Sequence, residues 1–344
     1  MTERKKEKNL DSGEQAAAAL SRIWKLHASQ FSVSTSSKLP VTSPSRIVLS
    51  TTTDEKSSPE KTILYLAYGS NLCAETFKGN RGIKPLSAVN VHVPSLDLTF
   101  DLPGIPYQEP CFANTRYRKS PPSRDDYHKD RWHKGLIGVV YEVTPEDYRT
   151  IIATEGGGAS YQDVIVPCYV IPSGMKGVDP QPSGASFKAH TLFAPSDQNE
   201  GGRGISRPDP SYAQASARYL KLITDGAEEH ELPAEYLAYL YNIRPYTITT
   251  YRQKVGQALF LAVWFPIVIF LFGLAKTAAD EEGKIPKWLI QIQGVVFRLL
   301  WASYDNVYKK AFGDGERTMN ERDEEEAGVE TQWREKGIQL DGTT

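Results

Sequence analysis

Two short stretches of the chain combine residue types that could do chemistry. The first is Tyr65-Leu66-Ala67-Tyr68-Gly69-Ser70-Asn71-Leu72. The apolar, aromatic run from Thr62 to Tyr68 reads as a buried strand, and Leu72 to Phe77 fits the first turns of a helix. A strand that turns directly into a helix leaves backbone N–H groups unpaired and aimed in one direction. Gly69 lets a ligand approach the backbone closely, and the free amides with the helix dipole form a place for an anion or oxyanion. Neither GxxxxGK[ST] nor GxGxxG occurs here, so the implied ligand is a carboxylate or a polarised carbonyl. An ordinary capped strand–turn–helix junction has the same pattern.

The second stretch is Thr154-Glu155-Gly156-Gly157-Gly158-Ala159-Ser160-Tyr161, which leads into the apolar strand Val164 to Val170. Helix C-termini disfavour negative charge, so a carboxylate there is oddly placed, and the three glycines leave room for a substrate. Partial burial would raise the Glu155 pKa and suit it to general-base work near neutral pH. A solvated glutamate in a turn is the plainer alternative.

The elements that must position these groups can be read around them. Strands are expected at Ala88 to Val93, Leu96 to Asp101, Leu136 to Glu142 and Asp163 to Ile171. Thr144-Pro145-Glu146-Asp147 has the form of a helix start, with Thr as N-cap and Pro at the first helical position. That helix should end before the glycine run. Helical segments are also expected at Ser211 to Thr224 and Leu232 to Tyr241, and the polar stretch Lys119 to Lys134 reads as a surface loop. Strands interspersed with helices give a mixed α/β (α+β) body over 61–250. Residues 1–60, rich in Ser, Thr, Pro and charge, read as a disordered tail. Glu3, Glu7, Asp11 and Glu14 argue against a mitochondrial presequence.

From Val255 to Ala275 no residue is charged, and Lys254 and Lys276 bracket the run. It is long enough to cross a hydrocarbon core of about 30 Å, so one C-terminal transmembrane helix is expected. The protein would then be a single-pass membrane protein with its body on the cytosolic side. Residues 276–344 read as an amphipathic helix, Ile285 to Phe312, and a charged disordered end from Gly313. The tyrosines between Tyr236 and Tyr251 suit packing or a pre-membrane belt.

Taken together the two stretches resemble the γ-glutamylcyclotransferases, in which a YGSN loop after the first strand and a Glu in an "EG…Y" turn form the signature. Here Tyr68-Gly69-Ser70-Asn71-Leu72 and Glu155-Gly156 with Tyr161 match. A third match is Arg207-Pro208-Asp209-Pro210-Ser211-Tyr212, followed by Leu232-Pro233-Ala234-Glu235-Tyr236. The resemblance covers residues 61–245 and implies a barrel-like body. It implies a small γ-glutamyl amide as substrate, held by Tyr65, Leu66, Ala67, Tyr68, Gly69, Ser70 and Asn71, with Tyr212 on the opposite side. Glu155 would be the general base that cyclises the substrate to 5-oxoproline, with no cofactor and no metal. Asn71 tilts the chain away from the glutathione-specific branch. A γ-glutamylated secondary-metabolite intermediate as substrate, and a catalytically silent membrane-anchored binding protein, are the alternatives.

Composition narrows the field further. The 344 residues carry 40 Lys and Arg against 42 Asp and Glu, a net charge of -2, which is no footprint for nucleic acid. Cys73, Cys111 and Cys168 are too scattered for a disulfide framework or a zinc site. His128 and His133 beside Asp130 lack a third ligand nearby. Cys73 lacks the histidine partner that a catalytic thiol needs and reads as a packed side chain.

Overall fold

A computed structural model describes residues 39–52, 62–118, 132–154, 162–194, 207–209, 211–278 and 285–319. Five strands close a barrel in the order β1 (Ile63–Ala67), β5 (Leu136–Val143), β2 (Ser87–Val93), β6 (Gln162–Val170) and β7 (Phe187–Phe193). Neighbours are antiparallel except at the closure, where β1 runs parallel to β7 through Tyr65 and His190. The central strands β1 and β5 are buried almost throughout, with Leu64, Leu66, Ile137, Val139 and Val140 at the core. This explains why both read as continuous apolar runs. At their crossing, a Cβ on Gly138 would lie 2.4 Å from the Ala67 carbonyl oxygen. A separate hairpin pairs β3 (Leu96–Ile105) with β4 (Glu109–Tyr117). The mixed α/β barrel agrees with the body expected from sequence.

Helices pack around the barrel. Helix α2 (Pro145–Thr154) starts as its sequence dictates, with the Asp147 amide donating to Thr144 Oγ1 at 3.1 Å. Its Tyr148 ring lies against Tyr65, centroids 6.1 Å apart. Helix α3 (Ala217–Glu229) is capped by Ser216, whose hydroxyl accepts from the Tyr219 amide at 3.0 Å, and α4 (Ala234–Tyr241) follows.

The tail expected to be disordered through residue 60 contains a packed segment. The Thr42 amide donates to the Ala88 carbonyl at 3.2 Å and the Ala88 amide to the Pro40 carbonyl at 2.9 Å, and helix α1 (Pro44–Thr52) brings Arg46 to Thr62 and within 3.6 Å of Glu142. The polar side chains there satisfy one another and bury Thr42, Arg46 and Ser50. A composition rule that counts only apolar residues misses such a segment.

Helix α5 (Tyr251–Ala278) carries Pro266 inside it, and its segment Tyr251–Ala275 reaches a mean hydropathy of 2.6. It is the one helix among the described residues long and apolar enough to cross a membrane. Helix α6 (Lys287–Ser303) continues through Tyr304–Tyr308 into α7 (Lys309–Phe312) and runs back along α5 in the opposite direction. Leu289 packs near Ala275, Phe297 on Phe272, Ser303 accepts from the Trp264 indole at 3.0 Å, and Tyr308 meets Phe260.

The chain after Gly313, expected to be disordered, is stitched through residue 319 to the turn of the β3–β4 hairpin and to the segment that leads into α3. Asp314 accepts from Tyr304 at 3.1 Å and from Tyr212, and its backbone carbonyl accepts from Gln253 at 2.7 Å. The Tyr107 amide donates to Gly315, and the Gln214 amide to Glu316. Arg207 forks between Asp305 (2.7 and 2.8 Å) and Glu316 (3.1 and 2.7 Å) and stacks 4.1 Å over the Trp301 ring. Glu316 is buried, so removing the guanidinium leaves a carboxylate only partly compensated by Lys309 at 3.6 Å. Arg207→Met should therefore cost on the order of 3 kcal/mol, read as a lower midpoint in denaturant; an unchanged midpoint would show that the fork contributes nothing.

Candidate functional site

The turn after β1 is built as its sequence requires. A short 3-10 turn, Ser70–Leu72, follows Gly69, and its first bond is from the Leu72 amide to the Gly69 carbonyl at 3.0 Å. The Gly69 and Ser70 amides come before that bond and stay outside the helical ladder. Both residues line a small cavity of ≈ 40 Å³, together with Tyr65, Tyr68, Asn71, Ala113, Leu192 and Tyr219. On the scale of about 10–15 Å³ per water position, that holds a carbonyl or carboxylate head group and little more.

The lining is held in place from several elements. Asn71 Nδ2 donates to Tyr65 Oη at 2.9 Å, and Tyr68 Oη donates to the Leu192 carbonyl at 2.8 Å. The Ala113 amide donates to Tyr219 Oη at 3.1 Å. Tyr219 reaches the cavity because Glu109 on β4 takes both the Ser216 hydroxyl and Arg218 Nε, each at 2.6 Å, fixing the start of α3. A Cβ on Gly69 would meet Ala113 Cβ and Tyr219 Oη at 3.3 Å, so glycine keeps the cavity open on this side.

None of the described lining residues carries a carboxylate, ammonium or imidazole. Leu66 and Ala67 of the expected loop are buried strand residues, with the Leu66 carbonyl accepting from Thr191 at 3.1 Å. Glu155, Gly156 and Tyr161 lie outside the described residues, as does His128. The chain reaches position 155 directly from Thr154, the last residue of α2.

Residues 250–310 match a family model described as the AclK C-terminal domain. Over 263 residues the chain is 36% identical to the γ-glutamyl cyclotransferase gliK of Aspergillus fumigatus, an alignment covering 75% of this chain and 90% of that protein. It is 30% identical to the γ-glutamyl cyclotransferase aclK of Aspergillus oryzae, covering 75% and 91%. The chain belongs to the γ-glutamyl cyclotransferase family. A solved structure of an uncharacterized Homo sapiens protein overlaps 56% of this chain and 93% of its own, at 21% identity and a TM-score of 0.39.

In this cyclotransferase Tyr212 stands away from the cavity lining. Its hydroxyl donates to Asp314, and its ring lies under Lys309 at 4.6 Å and Arg317 at 5.4 Å. Tyr219, seven residues on, lines the cavity together with Tyr65 and Tyr68. Sequence reasoning passed over it because it sits inside a helix with no motif around it. Ala113 and Leu192 were missed for a similar reason, being placed by β4 and β7, which the sequence pattern did not reveal. Cys73 is buried, and burial with the neighbouring Glu229 pushes its thiol pKa up, which suits a packed side chain.

Two contacts brace the amide turn from behind. The Tyr141 hydroxyl lies 2.7 Å from His230 Nε2 and donates toward the Leu72 carbonyl at 3.3 Å. Burial, assisted by the Lys78 charge, lowers the His230 pKa from 6.5 to about 4. The unfolded chain thus binds this proton near 6.5 and the folded protein only near 4. Stability is complete above about pH 6.5 and falls by on the order of 3 kcal/mol as pH drops toward 4. Denaturant midpoints measured between pH 7 and 4.5 should show a slope that His230→Gln removes; an equal slope in both proteins would refute the assignment.

The second contact is closer still. A Cβ on Gly226 of α3 would lie 2.4 Å from the Cys73 amide nitrogen and the Leu72 carbonyl carbon. These are backbone atoms and cannot swing aside. Gly226→Ala should push α3 off the turn, costing roughly 1–3 kcal/mol and reducing turnover together with stability, both measurable on the purified protein. Full activity at wild-type stability would show that the turn tolerates displacement.

Proposed function

We propose that the protein is a γ-glutamyl cyclotransferase that converts a γ-glutamyl amide to 5-oxoproline and a free amine or amino acid. The observation that carries this reading is the cavity lined by Gly69, Ser70 and Asn71 of the turn after β1, in a chain that belongs to the cyclotransferase family. The γ-carbonyl oxygen of the substrate would point at the Gly69 and Ser70 amides, which stabilise the charge that develops on it in the tetrahedral intermediate.

Glu155 acts as the base. It takes a proton from the substrate α-ammonium, and the freed amine attacks the γ-carbonyl carbon. A C–N bond closes the five-membered ring, the original amide C–N bond breaks, and protonated Glu155 returns its proton to the leaving nitrogen. The ring nitrogen then gives up its second proton through the Glu155 carboxylate to the freed amine, which departs as an ammonium. Nucleophile and electrophile belong to one molecule, so the protein needs only to select the folded-back conformer and move these two protons. Two features support Glu155 in this role. The described lining supplies no base of its own, and α2, which ends next to position 155, is docked on Tyr65 of the cavity through Tyr148. Tyr219, which lines the cavity and lies against Gly69, would contact the substrate beside the turn. The apolar segment Tyr251–Ala275 supports attachment of the barrel to a membrane.

Glu155→Gln is isosteric and lacks the base. It should lower kcat by about 10²–10⁴ with substrate binding retained, assayed as 5-oxoproline released from a panel of γ-glutamyl amides. Wild-type turnover in this variant overturns the role of Glu155. A folded wild-type protein that yields no 5-oxoproline from any member favours a binding protein instead.

A further inference from the structure

The apolar helix α5 has few ways to meet a bilayer, and the contacts at its two ends remove all but one. Its start is tied to the turn of the β3–β4 hairpin by Gln257, which donates to the Tyr107 carbonyl at 2.7 Å. The far end of the returning helix is tied to the same place, through Asp314 to Tyr212, Gly315 to Tyr107 and Glu316 to Arg207. We propose that α5 and the returning helix enter the bilayer together as a hairpin that crosses twice, leaving the catalytic barrel and residues 313–319 on one face. The inference rests on the reading that α5 enters a membrane and adds the number of crossings and the side on which the C-terminal segment lies.

A single crossing by α5 would put Asp314 and Tyr212 on opposite sides of the membrane, whereas the structure joins them. A hairpin lying flat on the surface is excluded by the shape of the apolar face. At about 100° per residue, the exposed positions Leu259, Val263, Ile267, Ile269, Phe270 and Phe272 span an arc of about 220° around α5. Phe260, Val268, Leu271 and Ala275 fill the remaining side, against the returning helix and the barrel. A flat helix or a second copy of this chain would cover one stripe of that arc, while lipid covers all of it.

Half-insertion meets a different obstacle. Around the junction of the two helices the sequence carries Lys276, Asp280, Glu281, Glu282, Lys284 and Lys287. Stopping midway would leave these charges in hydrocarbon, and a full crossing returns them to water. The lengths fit, since α5 extends about 42 Å and the run from Lys287 to Phe312 about 39 Å, against about 30 Å of hydrocarbon. Arg298 is the charge that the returning helix carries into the bilayer; its guanidinium lies along the turn at Gly294, toward the charged end of the hairpin, as a snorkelling arginine does.

The test uses the full chain in sealed vesicles with single added cysteines and a maleimide that does not cross membranes. Cys73, Cys111 and Cys168 are buried and stay silent. Lys188→Cys reports the barrel, Arg317→Cys the C-terminal segment and Lys287→Cys the turn. The expected result is that positions 188 and 317 label alike, while 287 labels only from the other side, exposed by permeabilisation. Labelling of 317 together with 287, against 188, would establish a single crossing and overturn the proposal. Equal labelling at all three positions would overturn it in favour of a flat or half-inserted hairpin. Release of the protein by alkaline carbonate would overturn both the hairpin and the membrane reading beneath it. Assaying 5-oxoproline in the same vesicles keeps the chemistry separate, because activity with a failed topology leaves the cyclotransferase reading standing.

Discussion

The approach of Gly226 to the Leu72 and Cys73 backbone is the constraint on which the site depends. Two amides can polarise a carbonyl only if they are held still, because a donor that relaxes toward the charge gives up in reorganisation what it gains in attraction. The turn has no long helix of its own to hold it. It is clamped between the end of β1, whose register with β5 is set over Ile63 to Ala67, and α3, which comes within contact of its backbone at the one residue without a side chain. Tyr141 and His230 complete the brace from the barrel interior. The rigidity of the amides is thus borrowed from the barrel and from α3.

The same helix carries the other wall of the cavity. Glu109 on β4 holds Ser216 and Arg218 at the start of α3, and Tyr219 follows within the first turn. The segment leading into α3 is in turn bound by the far C-terminal residues, through Tyr212 to Asp314 and the Gln214 amide to Glu316. The segment beyond the α5–α6 hairpin is therefore linked to the cavity through residues 212–219. Residues remote in sequence from the reaction are structurally part of its frame.

The sequence was legible wherever a local signal sufficed. β1 and β5 stood out as apolar runs, the Thr144 cap announced α2, and Gly69-Ser70-Asn71 marked the turn after the first strand. β4 and β7 escaped notice because each draws its burial from partners distant in the chain. β4 carries Glu109, Asn114 and Thr115 buried through side-chain hydrogen bonds, a pattern that reads as loop when polarity alone is scored. The segment at 39–52 escaped for the same reason, its order coming from the Thr42, Ser87, Arg46 and Glu142 network.

By itself the sequence determined the mixed α/β body, the amide turn and the 21-residue uncharged run, because each is encoded by neighbours in the chain: residue spacing, a cap, the absence of charge. Only the tertiary structure decided that Tyr219 and not Tyr212 lines the cavity, and that the chain beyond the apolar helix turns back to bind Arg207 and the Tyr107 turn of the β3–β4 hairpin. Those contacts join residues about one hundred positions apart or more. Pairing at that range leaves no periodicity to read, since it depends on which surfaces the closed barrel leaves available and which buried charges find a counter-ion there.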